Sequence, residues 1–306
     1  GTSSTSGGYK TCDRWFLSYD FTDEAPTQAQ VDVASGTTPY TLGFRKAFKL
    51  TNGNQTGGAG SADYFATIYK IEAQDIANSG WNYTSASSFI TLSFWVKSSV
   101  AQNFYGYLIT QQGTSYLYPF ETGSLSADTW TKVTKTISGN PNLTFNNDNL
   151  SGLEFLLWQF GGTDYTASGV SLNSWGAYNS SQRMPDNTST WYTTNDATFE
   201  ITGLQIEVSD HATDFEHRSF TDELLRCQRY YWRYPFEGEG GAFIYGGQYS
   251  TSTMIHYSLP TKMRATPTLT FSSKRSGSSS DQNYSDQYLL QYQQVVLIMA
   301  IYKILN

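Results

Sequence analysis

The chain has 306 residues, of which 16% are aromatic and only 15% charged, with a formal net charge of −7 and a sequence pI near 4.9. An acidic balance with no Lys/Arg stripe argues against nucleic-acid phosphates or an anionic membrane as partners. The most apolar run, Val295–Ile301, is far shorter than the roughly 20 residues a spanning helix needs, so membrane insertion is not expected. Tyr, Ser, Thr, Asn and Gly fill the place of charged residues, and that mixture suits strands and turns. Residues 1–8, Gly-Thr-Ser-Ser-Thr-Ser-Gly-Gly, lack the basic and apolar regions of a signal peptide and read as a flexible linker. Cys12 and Cys227 have no C-x-x-C spacing. Buried free thiols are favoured over a structural disulfide.

Strand patterning starts at Arg14–Tyr19 and continues in Thr41–Leu50, where Leu42, Phe44, Ala47 and Phe48 mark an inward face. The Gly- and Asn-rich stretch Thr51–Gly60 predicts a loop, and Tyr64–Glu72 resumes alternation. Thr91–Lys97 is the clearest strand, with Leu92, Phe94 and Val96 on one face and Ser93, Trp95 and Lys97 on the other. Phe104–Thr110 and Ser115–Phe120 flank a hairpin turn at Gln111–Thr114. Trp130–Ile137 alternates, and Gly152–Phe160 is a short apolar run fit for a core strand. After a polar excursion over Gly161–Thr194, the pattern returns in Phe199–Val208, with Gly203 marking a bulge. Eight or nine short strands without interleaved helices predict an all-β jelly-roll or Greek-key sandwich over residues 9–210. Ser219-Phe-Thr-Asp222 then matches a capping box, and Phe220, Leu224, Cys227 and Tyr231 recur at helical spacing, so residues 211–235 predict a connecting segment with a helix to about Arg233. Residues 236–306 predict a small C-terminal β domain of three or four strands, with Val295–Ile301 as an intersubunit strand.

Catalytic motifs are weak. Glu216-His217-Arg218 is consecutive in an extended segment, so its side chains diverge and a structural role is expected. No histidine has a metal-ligand partner at H-x-x-x-H spacing. Glycoside hydrolysis needs two facing carboxyl groups, and no pair stands out. Binding of carbohydrate asks for something else: aromatic faces against the C–H faces of sugar rings, with Asn, Gln, Asp and Arg on the hydroxyls. The excursion supplies that mixture in Tyr165, Trp175, Tyr178, Asn179, Gln182, Arg183, Asp186, Trp191 and Tyr192, presented on loops at one end of a sandwich. The competing reading is that Trp175 and Trp191 anchor the loop by burial. Trp15, Phe94, Trp130 and Trp158 lie within strand patterns and are expected in core or inter-sheet packing.

Several segments carry a family likeness: Asp13-Arg-Trp15, Leu92–Lys97, Asp128–Ile137, Thr198–Val208, Ala212–Tyr231 and Pro260–Pro267. Together they resemble bacteriophage tail-fibre and virion structural proteins with a carbohydrate-binding-module-like jelly roll. The resemblance implies a virion protein assembled in the host cytoplasm. It also implies a homotrimer that contacts other virion proteins and host surface polysaccharide. It suggests a second contact region in the C-terminal unit, at Tyr245, Tyr249, His256, Tyr284 and Tyr288. Many carbohydrate-binding jelly rolls hold calcium through Asp, Glu and backbone oxygens, which makes Asp20, Asp23, Glu24, Glu207 and Asp210 candidates by position only, and solvated surface charge is the favoured reading of them. A non-catalytic adhesin is the expected function. A decoration protein of the virion head or tail and a polysaccharide depolymerase are the alternatives.

Overall fold

The computed structural model describes residues 3–232, 246–249, 252–255 and 259–268. The chain divides into two compact units between Arg218 and Ser219. In the first unit, strands β1 (Trp15–Asp20), β4 (Tyr64–Glu72), β9 (Ser151–Gly161), β6 (Asn103–Thr110), β7 (Tyr116–Ser124) and β10 (Gly176–Ala177) lie in that order in one antiparallel sheet. A second antiparallel sheet has the order β2 (Thr27–Asp32), β3 (Lys46–Thr51), β11 (Thr198–Glu207), β5 (Phe89–Ser98) and β8 (Thr131–Ser138). The expected jelly-roll β-sandwich is therefore present. The chain crosses repeatedly between the sheets, and both bury one face against the other.

Alternation decides what goes between them. From β9 come Leu153, Phe155, Leu157 and Phe160, from β5 Leu92, Phe94 and Val96, and from β11 Phe199, Ile201 and Ile206, all in one continuous core with Trp15 and Phe48. Trp15 lies edge-on to Tyr69 and Phe155 at 5.3 and 6.3 Å, while Phe155 stacks on Phe120 at 6.0 Å. Such ring pairs add about 0.5–1.5 kcal/mol each beyond area burial. Gly106 in β6 marks a close approach between β9 and the Phe120 ring. A Cβ there would meet the Leu156 carbonyl oxygen at 2.5 Å and the Phe120 ring at 2.7 Å.

The sequence pattern misplaces several elements. Thr41–Leu50 is not one strand: Pro39 starts a helical turn, α1 (Thr38–Thr41), Leu42 is 49% exposed, and the strand begins only at Lys46. Strand β2, Thr-Gln-Ala-Gln-Val-Asp, was hidden by its polar composition, which an edge position tolerates. Short helical turns α2 (Ala73–Ala77) and α3 (Thr190–Thr193) were also missed. The Gly203 bulge is present, at a φ of 62° and with the register shift between Thr202 and Gln205. Residues 4–8 are not a free linker. Ser4 and Gly8 bridge to Gln28 and Leu17, and the buried Gln28 amide donates to the Ser6 carbonyl at 2.7 Å.

Beyond Arg218, helix α4 (Phe220–Gln228) has the expected cap, with Ser219 Oγ accepting from the Asp222 N–H at 3.2 Å. It stops at Gln228, short of Arg233, and Phe220 is 59% exposed despite its place in the apolar repeat. A hairpin, β12 (Gly246–Tyr249) with β13 (Ser252–Ile255), is the described part of the C-terminal β region. The Val295–Ile301 run lies outside the described residues. Cys12 and Cys227 are both buried free thiols, as favoured from the sequence.

Two measurements test this packing. Gly106→Ala should lower unfolding stability by about 1–3 kcal/mol in urea melts, whereas Gly176→Ala, with nothing within 4 Å of its Cβ, should leave it unchanged. Burial pushes the Cys12 thiol from 9.0 up to about 12 and the Tyr107 phenol from 10.0 up to about 12. The unfolded chain therefore loses these protons first. Their contribution is complete below about pH 9, then falls towards pH 12 by up to about 1.4 kcal/mol per pH unit per group. Tyr107→Phe should flatten the decline measured from pH 9 upward, and an unchanged slope would show that Tyr107 titrates normally in the fold.

Candidate functional site

The strand register places a second apolar layer on the outer face of the six-stranded sheet. Opposite-facing residues fall into cross-strand rows: Ser18, Ala66, Trp158, Tyr105 and Glu121 in one, and Phe16, Ile68, Leu156, Tyr107 and Pro119 in the next. A third row runs through Lys70, Glu154, Ile109 and Leu117. Ala66, Tyr107, Ile109, Leu117, Leu156, Trp158 and Met184 are buried here, with Tyr64, Ile68, Tyr105 and Tyr165 half-buried around them. A bulge in β9 makes this arrangement. Gln159 is the extra residue between the Trp158 and Phe160 pairings, so Trp158 points outward while Phe160 returns to the sandwich core.

The cover comes from the excursion after β9. Its two limbs are tied by Arg183 N–H to the Tyr165 carbonyl at 2.9 Å and Ala167 N–H to the Met184 carbonyl at 3.1 Å, which seats Met184 beneath the surface and leaves Arg183 on top. The Arg183 guanidinium lies 4.9 Å from the Tyr165 ring, 5.5 Å from Trp158 and 5.8 Å from Tyr178. Tyr64 closes the group, 5.3 Å from both Trp158 and Tyr165, with its hydroxyl 3.0 Å from Ser18 Oγ. Burial, followed by the neighbouring Tyr64, raises the Tyr165 phenol, so this hydroxyl remains a neutral donor and acceptor around pH 7. Polar groups rim the rings: Lys70 pairs with Glu154 at 3.1 Å, and Asn103 donates to Glu121 at 2.8 Å.

The excursion residues expected to bind a ligand divide in two. Tyr165, Tyr178 and Arg183 come together on this face. Asn179 and Gln182 are exposed in the same loop, where Asn179 Oδ1 caps the Ser181 N–H at 3.1 Å, and Asp186 accepts from Thr166 Oγ1 at 2.8 Å. Trp191 and Tyr192 are corrected to the core: both are 0% exposed and present no face to a ligand. Trp191 donates to the Thr198 carbonyl at 3.1 Å, and Tyr192 stacks on Phe160 at 4.3 Å while its hydroxyl donates to Asp63 Oδ2 at 2.8 Å. Trp175 packs half-buried on the sandwich core, with its indole N–H on the Ser138 carbonyl at 2.8 Å, the anchoring role that competed with ligand contact. Trp158 and Trp130 lie on outer faces rather than between the sheets. Tyr64, Tyr105 and Phe16 were missed. Their signal was present, because Tyr-Phe-Ala-Thr-Ile-Tyr in β4 and Asn-Phe-Tyr-Gly-Tyr-Leu in β6 are apolar on both faces.

Tyr249 pairs with Ser252 in the C-terminal hairpin, and Tyr245, His256, Tyr284 and Tyr288 lie outside the described residues. The calcium candidates do not assemble into one set. Among the described residues no three His, Cys, Asp or Glu side chains form a metal-holding group. Asp23 and Glu24 instead accept the backbone N–H groups of Gly57 and Asn54 at 2.6 Å each. Asp20 accepts from Phe21 N–H at 2.9 Å, Glu207 is buried on Thr213, and Asp210 pairs with His211 at 2.7 Å. These carboxylates are engaged in turns and loop closure.

No family model matches the chain, and no curated protein matches it. Solved structures resemble it distantly. The enzymatically active domain of bacteriophage CBA120 tailspike protein 4 aligns over 64% of this chain and 19% of its own length, with 12% identity and a TM-score of 0.35. The family 11 carbohydrate-binding module from Clostridium thermocellum, solved with a β-1,3-1,4-mixed-linked tetrasaccharide, aligns over 62% of this chain and 86% of that one, with 11% identity and a TM-score of 0.28. An exo-β-agarase aligns over 65% and 24%, with 12% identity and a TM-score of 0.32. The chain thus spans about a fifth of the tailspike structure, and at these scores none of the likenesses transfers a residue's role.

Proposed function

We propose that the outer face of the six-stranded sheet binds a carbohydrate chain without catalysis, and that the protein serves as a phage virion appendage that attaches to host surface polysaccharide. The observation that carries the binding reading is the set of half-exposed rings, Phe16, Tyr64, Tyr105 and Tyr165, on a sheet face that would ordinarily be polar. Rings fixed by buried neighbours offer flat apolar surface at little entropic cost, and the Arg183, Lys70, Glu154, Glu121 and Asn103 groups around them suit hydroxyls. From β1 to β7 the face crosses five strands, about 20 Å at normal strand spacing, which suits an oligosaccharide better than a single ring. The carboxylates on this face are held in an ion pair and a hydrogen bond, an arrangement for recognition. The virion setting and trimeric state rest on the sequence resemblance. Repetition of a modest site about a three-fold axis would raise avidity without new contacts.

A glycan array probed with the purified chain should give signal on bacterial surface polysaccharides. Tyr105→Ala and Arg183→Ala should each weaken that binding roughly tenfold, the loss of about 1.4 kcal/mol at one ligand contact. Trp175→Ala should reduce stability more than affinity. Full binding by both face variants would remove this surface from consideration.

A further inference from the structure

Where β9 ends, the molecule holds a second concavity, separate from the sheet face but sharing a wall with it. A cleft of about 170 Å³ opens between the turn at Gly60–Ser61 and the excursion limbs at Thr163–Thr166 and Asp186–Ser189. Its walls are fixed. Gly162 N–H donates to the Asp63 carbonyl and Asp164 N–H to the Ser61 carbonyl, both at 2.9 Å, and Gly60 N–H is held by Asp63 Oδ2 at 2.6 Å. The same Asp63 oxygen accepts from buried Tyr192, which ties the rim to the core. A Cβ on Gly162 would lie 2.3 Å from the carbonyl oxygens of Gly60 and Ser61, and one on Gly161 would lie 2.7 Å from the Trp158 ring. The two glycines thus let the turn at Gly60–Ser61 and the Trp158–Met184 layer of the aromatic face pack closely against the end of β9, beside the cleft.

The lining sets the ligand chemistry. Phe160, Gly161 and Gly162 lie along it, Ser61, Thr163, Asn187 and Ser189 supply neutral hydrogen-bonding groups, and Asp186, oriented by Thr166, is the charged group. No Lys or Arg lines the cleft among the described residues. Its volume falls below the ~300–1,000 Å³ of drug-sized pockets, room for one small ring. A ligand carboxylate there would face Asp186 without a compensating cation, which like-charge repulsion and desolvation make costly. We propose that this cleft is a one-ring subsite that takes a single neutral, hydroxyl-rich sugar unit at the end of the chain lying on the aromatic face. The proposal rests on the carbohydrate reading of that face and adds a second contact and a charge preference to it.

Backbone amide NMR on the whole chain tests it, with the methyl glycosides of glucose, galactose, mannose and N-acetylglucosamine titrated one at a time beside glucuronate. At least one neutral glycoside should shift the Gly60, Gly161, Gly162 and Thr163 amides saturably, and glucuronate should not. Ser61→Tyr should fill the cleft and abolish those shifts. Asp186→Asn keeps the side chain's shape and should admit glucuronate while weakening the neutral glycoside about tenfold, the size of a lost hydrogen bond to a charged group. No cleft shift with any neutral glycoside, or equal shifts with glucuronate, overturns the subsite. If an array polysaccharide binds and Tyr105→Ala weakens it while Ser61→Tyr does not, the cleft inference fails and the face reading stands. If no polysaccharide binds at all, the face reading fails first, and the glycoside titration still reports on the cleft.

Discussion

Burial of β9 on both faces is the constraint from which the rest of the first unit follows. This strand lies between β4 and β6, and every residue from Gly152 to Gly161 is buried. Leu153, Phe155 and Leu157 are covered by the second sheet, as in any sandwich. Leu156 and Trp158 point the other way and need a cover of their own, because leaving such side chains in water would forfeit about 1.5–3 kcal/mol each. The chain provides it by turning back at Gly161 and laying Tyr165 and Met184 over Trp158. A half-exposed aromatic face and a cleft at its end are both by-products of that cover, since the excursion hides the middle of the outer layer and leaves its margins open.

The end of the sandwich is closed by a different force. The Gly-rich segment after β3 cannot contribute apolar side chains, and instead Asn52 and Gln55 are buried as polar keystones. Asn52 Nδ2 donates to the Thr194 carbonyl at 3.0 Å, and Gln55 Nε2 donates to the Glu24 carbonyl at 2.9 Å. Gln55 Oε1 accepts the Asp23 N–H at 2.9 Å. Buried amides are tolerated when both their donors and their acceptor are used, and here they join three loops that share no regular secondary structure. The same network seats α3, which explains why Trp191 and Tyr192 are core residues: the turn that carries them is fastened to Asn52 and Asp63 before any ligand could reach it.

What the sequence made legible follows from this division. Strands whose aliphatic and Phe side chains keep to one face, such as Thr91–Lys97 with Leu92, Phe94 and Val96 inward, read correctly because period-two alternation has one interpretation. The outer layer did not, because Tyr64, Tyr105 and Trp158 sit in runs that are apolar on both sides, and alternation cannot say which face a ring takes when neither is polar. The bulge at Gln159 compounds this by reversing the facing of Trp158 relative to Phe160. The excursion announced itself by composition, but whether its rings point out or in depends on tethers from residues more than a hundred positions away, Asn52 to Thr194 and Tyr192 to Asp63 among them. Edge strand β2 escaped notice for the converse reason: its buried residue is Gln28, satisfied by Thr11 and Ser6 rather than by apolar contact.

The choice of tyrosine for the open margins of the face has a physical reason. A Trp or Phe at those positions would present the same flat apolar surface, but a Tyr also carries a hydroxyl that can turn towards water or a ligand hydroxyl without exposing an unsatisfied group. The rings are held by neighbours that stay buried whether or not a ligand is present: Tyr64 and Tyr165 on Trp158, Tyr105 beside Trp158 in its cross-strand row. Arg183, fixed by its backbone bond to Tyr165 and by Nε to the Ser180 carbonyl at 2.9 Å, has likewise lost much of its freedom in advance. Ordering of side chains is among the main costs of association, so a shallow face built this way can bind with few contacts. A flat surface made of mobile side chains could not, and that difference follows from the second burial of β9.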